Sequence, residues 1–129
     1  DAPILIKKVP MDNYLSGSLS YKDGVWIMTV NSKQHPKRQR FTLAHELAHY
    51  ILHKEKNTEF QDSTFFRGNT MDSLEYMAND FAAALLMPDD KVNELIKNGI
   101  RNIGKLAERF DVSAAAMKYK VEKLGYKVR

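Results

Sequence analysis

Apolar residues recur at Phe41, Leu43, Ala44, Leu47, Ala48, Ile51 and Leu52, the 3.6-residue rhythm of a helix with one buried side. No Gly or Pro interrupts residues 37–56. Pro36 suits the first helical position, where its missing N–H loses no partner. A second helical run covers residues 72–87, is rich in alanine and stops at Pro88, because the residue before a proline disfavours helix. Ahead of both, residues 18–21 alternate, Lys22-Asp23-Gly24 turns and residues 25–30 return, a strong hairpin pattern. Ile4-Leu5-Ile6 predicts another strand. Residues 57–70 are polar and read as a loop anchored by Phe60, Phe65 and Phe66. After Pro88 the pattern predicts a helix over 89–98, capped by Asp89-Asp90 and ended at Gly99. A helix over 103–110, a turn at 111–113 and a helix over 114–124 follow, with Ser113 as N-cap. The fold class is therefore α+β: a small antiparallel sheet of about three strands on a mainly helical core. A helix-turn-helix-like segment closes the chain.

Length and composition narrow this picture. A chain of 129 residues, 43% apolar and 28% charged, is expected to form one globular domain. Residues 1–88 would supply the sheet and the first two helices, and residues 89–129 a helical subdomain. No apolar run approaches a membrane span and no signal peptide opens the sequence, so a cytoplasmic protein without membrane contact is expected. There are no cysteines. That excludes thiolate metal sites, disulfides and a cysteine nucleophile. Net charge is +4 but uneven. Residues 91–129 hold ten Lys/Arg against four Asp/Glu, which points to nucleic acid or an acidic partner, or equally to a solvated lysine-rich surface.

The chemistry lies in the first helix. His45 and His49 are four residues apart and share one face, so both imidazoles can bind one metal ion. Glu46, one residue round the helix, can reach a water on that metal without being a ligand. His-Glu-x-x-His of this kind is a zinc hydrolase arrangement. Embedding ionisable groups in an apolar helix itself calls for a partner. His53 continues the series, but it lies roughly 12 Å along the axis from His45. It is a neighbour of the site or a surface residue rather than a third ligand. His35 is expected in solvent. For Glu75 two readings stand side by side. With Asp72 it has helix-start spacing and would cap the second helix, or it is the third protein ligand a catalytic zinc requires. Asn79, one turn on, would orient the ligands from outside. The strand over 25–30 is a candidate edge strand to which an extended substrate could add, or simply a cover for the core. The last helix begins Ala114-Ala115-Ala116, which has nothing to read base edges. Lys118, Lys120 and Lys123 could meet phosphates, so direct nucleic-acid binding is the lesser reading beside a structural or protein-docking role.

Residues 40–49 (RFTLAHELAH), then Glu75, Ala78-Asn79, Phe81-Ala82 and Leu85-Leu86-Met87-Pro88, resemble the ImmA/IrrE metallopeptidase family over about residues 24–125. The resemblance implies a zincin-like, gluzincin-type site. His45, His49 and Glu75 would be zinc ligands and Glu46 the catalytic base, which resolves Glu75 toward the metal. It also implies a bacterial or prophage protein that relieves repression by cleaving a helix-turn-helix repressor. The oxyanion donor is open among Tyr50, Tyr76, His53 and Arg67. Two histidines and a carboxylate without sulfur also suit manganese or iron. Other readings are a non-proteolytic antirepressor with a structural metal, a toxin–antitoxin component and a DNA-binding regulator.

Overall fold

The computed structural model describes residues 3–63 and 73–128. Strands β1 (Ile4–Val9), β2 (Leu15–Lys22) and β3 (Val25–Asn31) precede helix α1 (Pro36–His53). Strand β4 (Glu59–Ser63) and helices α2 (Ser73–Leu86), α3 (Asp89–Lys97), α4 (Ile103–Phe110) and α5 (Ala114–Lys123) follow. The α+β class stands. The sheet, however, has four strands in the order β1-β3-β2-β4 and is mixed, because β1 runs parallel to β3.

The β2–β3 hairpin forms as its turn chemistry requires. Asp23 and Gly24 both take positive φ, 53° and 81°, the conformation a two-residue hairpin turn needs. The parallel pair arises because the chain between β1 and β2 crosses the end of β3. Asn31 holds that crossing: its Oδ1 accepts from the backbone N–H of Met11 and Lys33, and its Nδ2 donates to the carbonyls of Asp12 and Leu15. Hence β3 lies inside the sheet, with both ladders used by β1 and β2. The expectation that residues 25–30 form a substrate-binding edge is corrected by this. β4 falls in the segment whose polar sequence predicts a loop, because Phe60 is its one apolar residue. That ring points inward, opposite Leu19 of β2.

α1 is covered on two sides. Phe41 and Ala44 enter a cluster with Ala82, Ala83, Met87, Val92 and Leu106 from the other helices. Leu47 and Tyr50 pack on the sheet cluster of Leu19, Trp26, Met28 and Phe60. Buried alanines, Ala44 and Ala48 on α1 and Ala78 and Ala82 on α2, let these two extensively packed helices approach closely. β2 approaches α1 just as closely. A Cβ added at Gly17 would lie 2.5 Å from Thr42 Cγ2 and 2.6 Å from the Thr29 carbonyl oxygen. Gly17→Ala should therefore destabilise the fold by about 1–3 kcal/mol through overpacking. Urea unfolding checks this, and an unchanged midpoint would mean that β2 does not press on α1.

The C-terminal helices dock on the rest of the molecule. Arg40 Nη1 donates to the carbonyls of Phe110 (2.7 Å) and Asp111 (2.8 Å) at the end of α4. Ser113 caps α5, accepting from Ala116 N–H as expected. Asp89 and Asp90 lie in the first turn of α3, where Pro88 is the N-cap and Asp90 Oδ1 accepts from the Lys91 N–H. Two of the three lysines that could meet phosphates are committed to carboxylates of this chain. Lys120 is buried and pairs with Asp89. Lys123 bonds Asp80 and donates to Tyr76 Oη at 3.1 Å. Burial alone would lower the Lys123 ammonium, but hydrogen bonds to Asp80 and Tyr76 outweigh it and hold its pKa above the usual lysine value. Tyr119, burying its phenol beside the Asp80 carboxylate, is pushed up to about 12. Lys118 is exposed, as Lys123 is, but has no such tie among the described residues.

Candidate metal centre

α1 carries its buried face as a polar stripe. Thr42, His45, Glu46, His49 and His53 are all buried, spaced so that they line one side of the helix. Ile51 and Leu52, which the apolar rhythm would turn inward, are 50% and 37% exposed. The helix is thus inverted at its C-terminal end, and desolvating so many ionisable groups needs specific compensation. α2 supplies it. Glu75, in the first turn, places Oε1 3.0 Å from His45 Nε2 and Oε2 2.8 Å from His49 Nε2. Asn79, one turn later, puts Oδ1 2.8 Å from His45 Nδ1. Both nitrogens of His45 therefore meet residues one turn apart on α2.

Ligand atoms of His45, His49 and Glu75 all lie within 4.8 Å of one another. The donor set fits zinc: two imidazoles present Nε2, one carboxylate faces both, and the chain has no cysteine to add a thiolate. Three protein donors are what a zinc site with an open fourth position uses. The histidines are fully buried, whereas the Glu75 side chain is 28% exposed, so solvent reaches the cluster from the α2 side. Glu46 is buried and turns toward β2, where its Oε2 would lie 3.4 Å from a Cβ on Gly17. The absent side chain of Gly17 makes room for this carboxylate.

His49 is the most enclosed of the three. Phe60 stacks on its ring at 4.3 Å and 13°, and His45 meets its edge at 4.7 Å. His53 Nδ1 approaches His49 Nδ1 to 3.0 Å, so His53 is a buried neighbour of the site and not a surface residue. In the sequence Phe60 stands out only as an aromatic residue in an otherwise polar segment, a signal of packing and not of a place beside a ligand. His35 lies in solvent, its Nδ1 accepting from Lys37 N–H as the N-cap of α1. Among the oxyanion candidates, Tyr50 packs edge-on to Trp26 and Tyr76 bonds Lys123. His53 contacts His49, and Arg67 lies outside the described residues, as do Phe65, Phe66 and the cap candidate Asp72.

Comparison with known proteins gives the same direction. Residues 1–122 match the Peptidase M78 family, the IrrE N-terminal-like domain. The chain is 31% identical over 128 residues to the radiation response metalloprotease IrrE of Deinococcus radiodurans, covering 92% of this chain and 39% of that protein. It is 33% identical over 98 residues to metallopeptidase ImmA of Bacillus subtilis, covering 74% of this chain and 56% of that protein. A 68-residue stretch is 37% identical to an uncharacterized immunity region protein of Bacillus phage phi105, covering 52% of this chain and 41% of that protein. The chain thus spans well under two thirds of the length of these relatives. With a family match over nearly its whole length and a His-His-Glu cluster in place, the chain belongs to the IrrE N-terminal-like peptidase family.

Proposed function

We propose that this chain is a zinc-dependent endopeptidase that cleaves a protein, with a helix-turn-helix transcriptional repressor as its substrate, in a bacterial or prophage regulatory module. The observation that carries the reading is the convergence of His45, His49 and Glu75 within 4.8 Å. These three residues are the zinc ligands, through Nε2, Nε2 and the carboxylate. Zinc bound there polarises a carbonyl and acidifies water to a pKa of about 7. Glu46 is the general base: it takes a proton from the attacking water and passes it to the leaving amine. A divalent ion held there would leave the centre cationic, which would favour the carboxylate form of Glu46. Asn79 accepts from His45 Nδ1–H, which keeps Nε2 unprotonated toward the metal.

Family membership supports the peptidase chemistry. The phage relative, named for an immunity region, supports the regulatory setting. An extended peptide would add at β4, the edge strand that touches the site through Phe60. Among the described residues no helix is long and apolar enough to cross a membrane. Incubating the purified protein with a helix-turn-helix repressor from the same genome, followed by intact-mass analysis, should give two repressor fragments that disappear on chelation and return with zinc. Repressor bound but uncut would favour a non-proteolytic antirepressor. DNA reading by α5 predicts duplex binding that weakens steeply with salt. With Lys120 and Lys123 tied to Asp89 and Asp80, gel-shift titration should show none that Lys118→Ala removes.

A further inference from the structure

We infer that His53 is a positioning residue for zinc, holding the His49 ring in its metal-binding tautomer. This rests on the assignment of His49 as a ligand. A neutral imidazole carries one proton, so a ring that lends Nε2 to a metal must carry that proton on Nδ1. Such a proton needs an acceptor, and ligating histidines nearly always have one. For His45 the acceptor is Asn79 Oδ1, from α2. For His49 it is His53 Nδ1 at 3.0 Å, a good hydrogen-bond distance. His53 lies one turn further along α1 and is itself 1% exposed, so water does not compete for this contact.

Geometry also fixes the ring's plane. Phe60 stacks on its face, which leaves rotation within the slot as the remaining freedom. A hydrogen bond at Nδ1 stops that rotation and aims Nε2 at Glu75 Oε2. The two ligands are thus oriented differently. His45 is held by a neighbouring helix, and His49 by its own helix and the sheet edge. The spacing of His45, His49 and His53 is therefore one ligand, a second ligand, and the acceptor for that second ligand.

The test compares zinc affinity, by chelator competition, in the wild type, His53→Asn and His53→Phe. Asparagine places an acceptor oxygen near the Nδ1 position but leaves a void. Phenylalanine fills the ring volume but accepts nothing. A positioning role predicts that His53→Phe weakens zinc binding about 10- to 100-fold, while His53→Asn stays within a few-fold of wild type. Apo-protein unfolding should show the reverse order, because the void, not the lost acceptor, governs packing. If His53→Phe does not fold, His53→Leu, also without an acceptor, replaces it. Equal zinc affinity in the wild type and the acceptor-less variant would overturn the inference. So would a larger loss in His53→Asn than in His53→Phe. A wild-type protein that takes up no zinc would instead overturn the ligand assignment beneath it.

Discussion

Glu46→Gln is expected to keep its zinc and to lose peptide cleavage by about 10²- to 10⁴-fold, the usual contribution of a positioned general base. The amide has the carboxylate's shape, so the space beside Gly17 that admits Glu46 admits glutamine equally. Glu46 is not one of the three residues whose ligand atoms converge, so zinc content should not change. What changes is proton transfer. An amide cannot take a proton from water at neutral pH, nor return it to the leaving amine. Metal analysis with single-turnover cleavage of the repressor checks both halves. Full cleavage by Glu46→Gln would remove Glu46 from the mechanism. A variant with neither zinc nor cleavage would show instead that Glu46 helps to build the site.

Glu75→Ala is expected to weaken zinc by more than the roughly 10- to 100-fold typical of losing an outer partner, because it removes one of three direct donors. Two neutral imidazoles would remain, with no anionic ligand. The helix should survive. Glu75 sits in the first turn of α2, and buried Ala78 and Ala82 still pack that helix on α1 when the carboxylate is gone. Isothermal titration with zinc measures the loss, and circular dichroism monitors the helices. Wild-type affinity in Glu75→Ala would return this residue to its other reading, a cap at the start of α2.

These two predictions rest on a candidate site that is largely legible in the sequence. His45, Glu46 and His49 stand on one helix whose start, Pro36, and interior follow simple rules of chain chemistry. Glu75 was ambiguous because a carboxylate in a first helical turn serves a cap and a metal equally well. Contact of its carboxylate with both imidazoles supports the metal reading, which spacing alone does not separate from the cap. What was missed has a common cause. β4 has one apolar residue, too few for an alternating pattern, yet that residue, Phe60, stacks on a proposed ligand. β1 joins β3 in parallel because a short crossing is pinned by the side chain of Asn31, which no periodicity encodes. Ile51 and Leu52 face solvent because the polar stripe ending at His53 takes the inward side. Lys120 and Lys123 resemble a solvated basic face in sequence, and only the fold brings Asp89 and Asp80 to them.

The central claim is that one zinc is held by two imidazoles and one carboxylate with a position left for water. Zinc K-edge X-ray absorption on the purified, zinc-loaded protein tests it most directly. The account predicts one zinc per chain with only nitrogen and oxygen scatterers near 2.0–2.2 Å, two of them imidazoles and at least one a water oxygen. A zinc enclosed by four protein ligands, or no zinc retained at all, would contradict it.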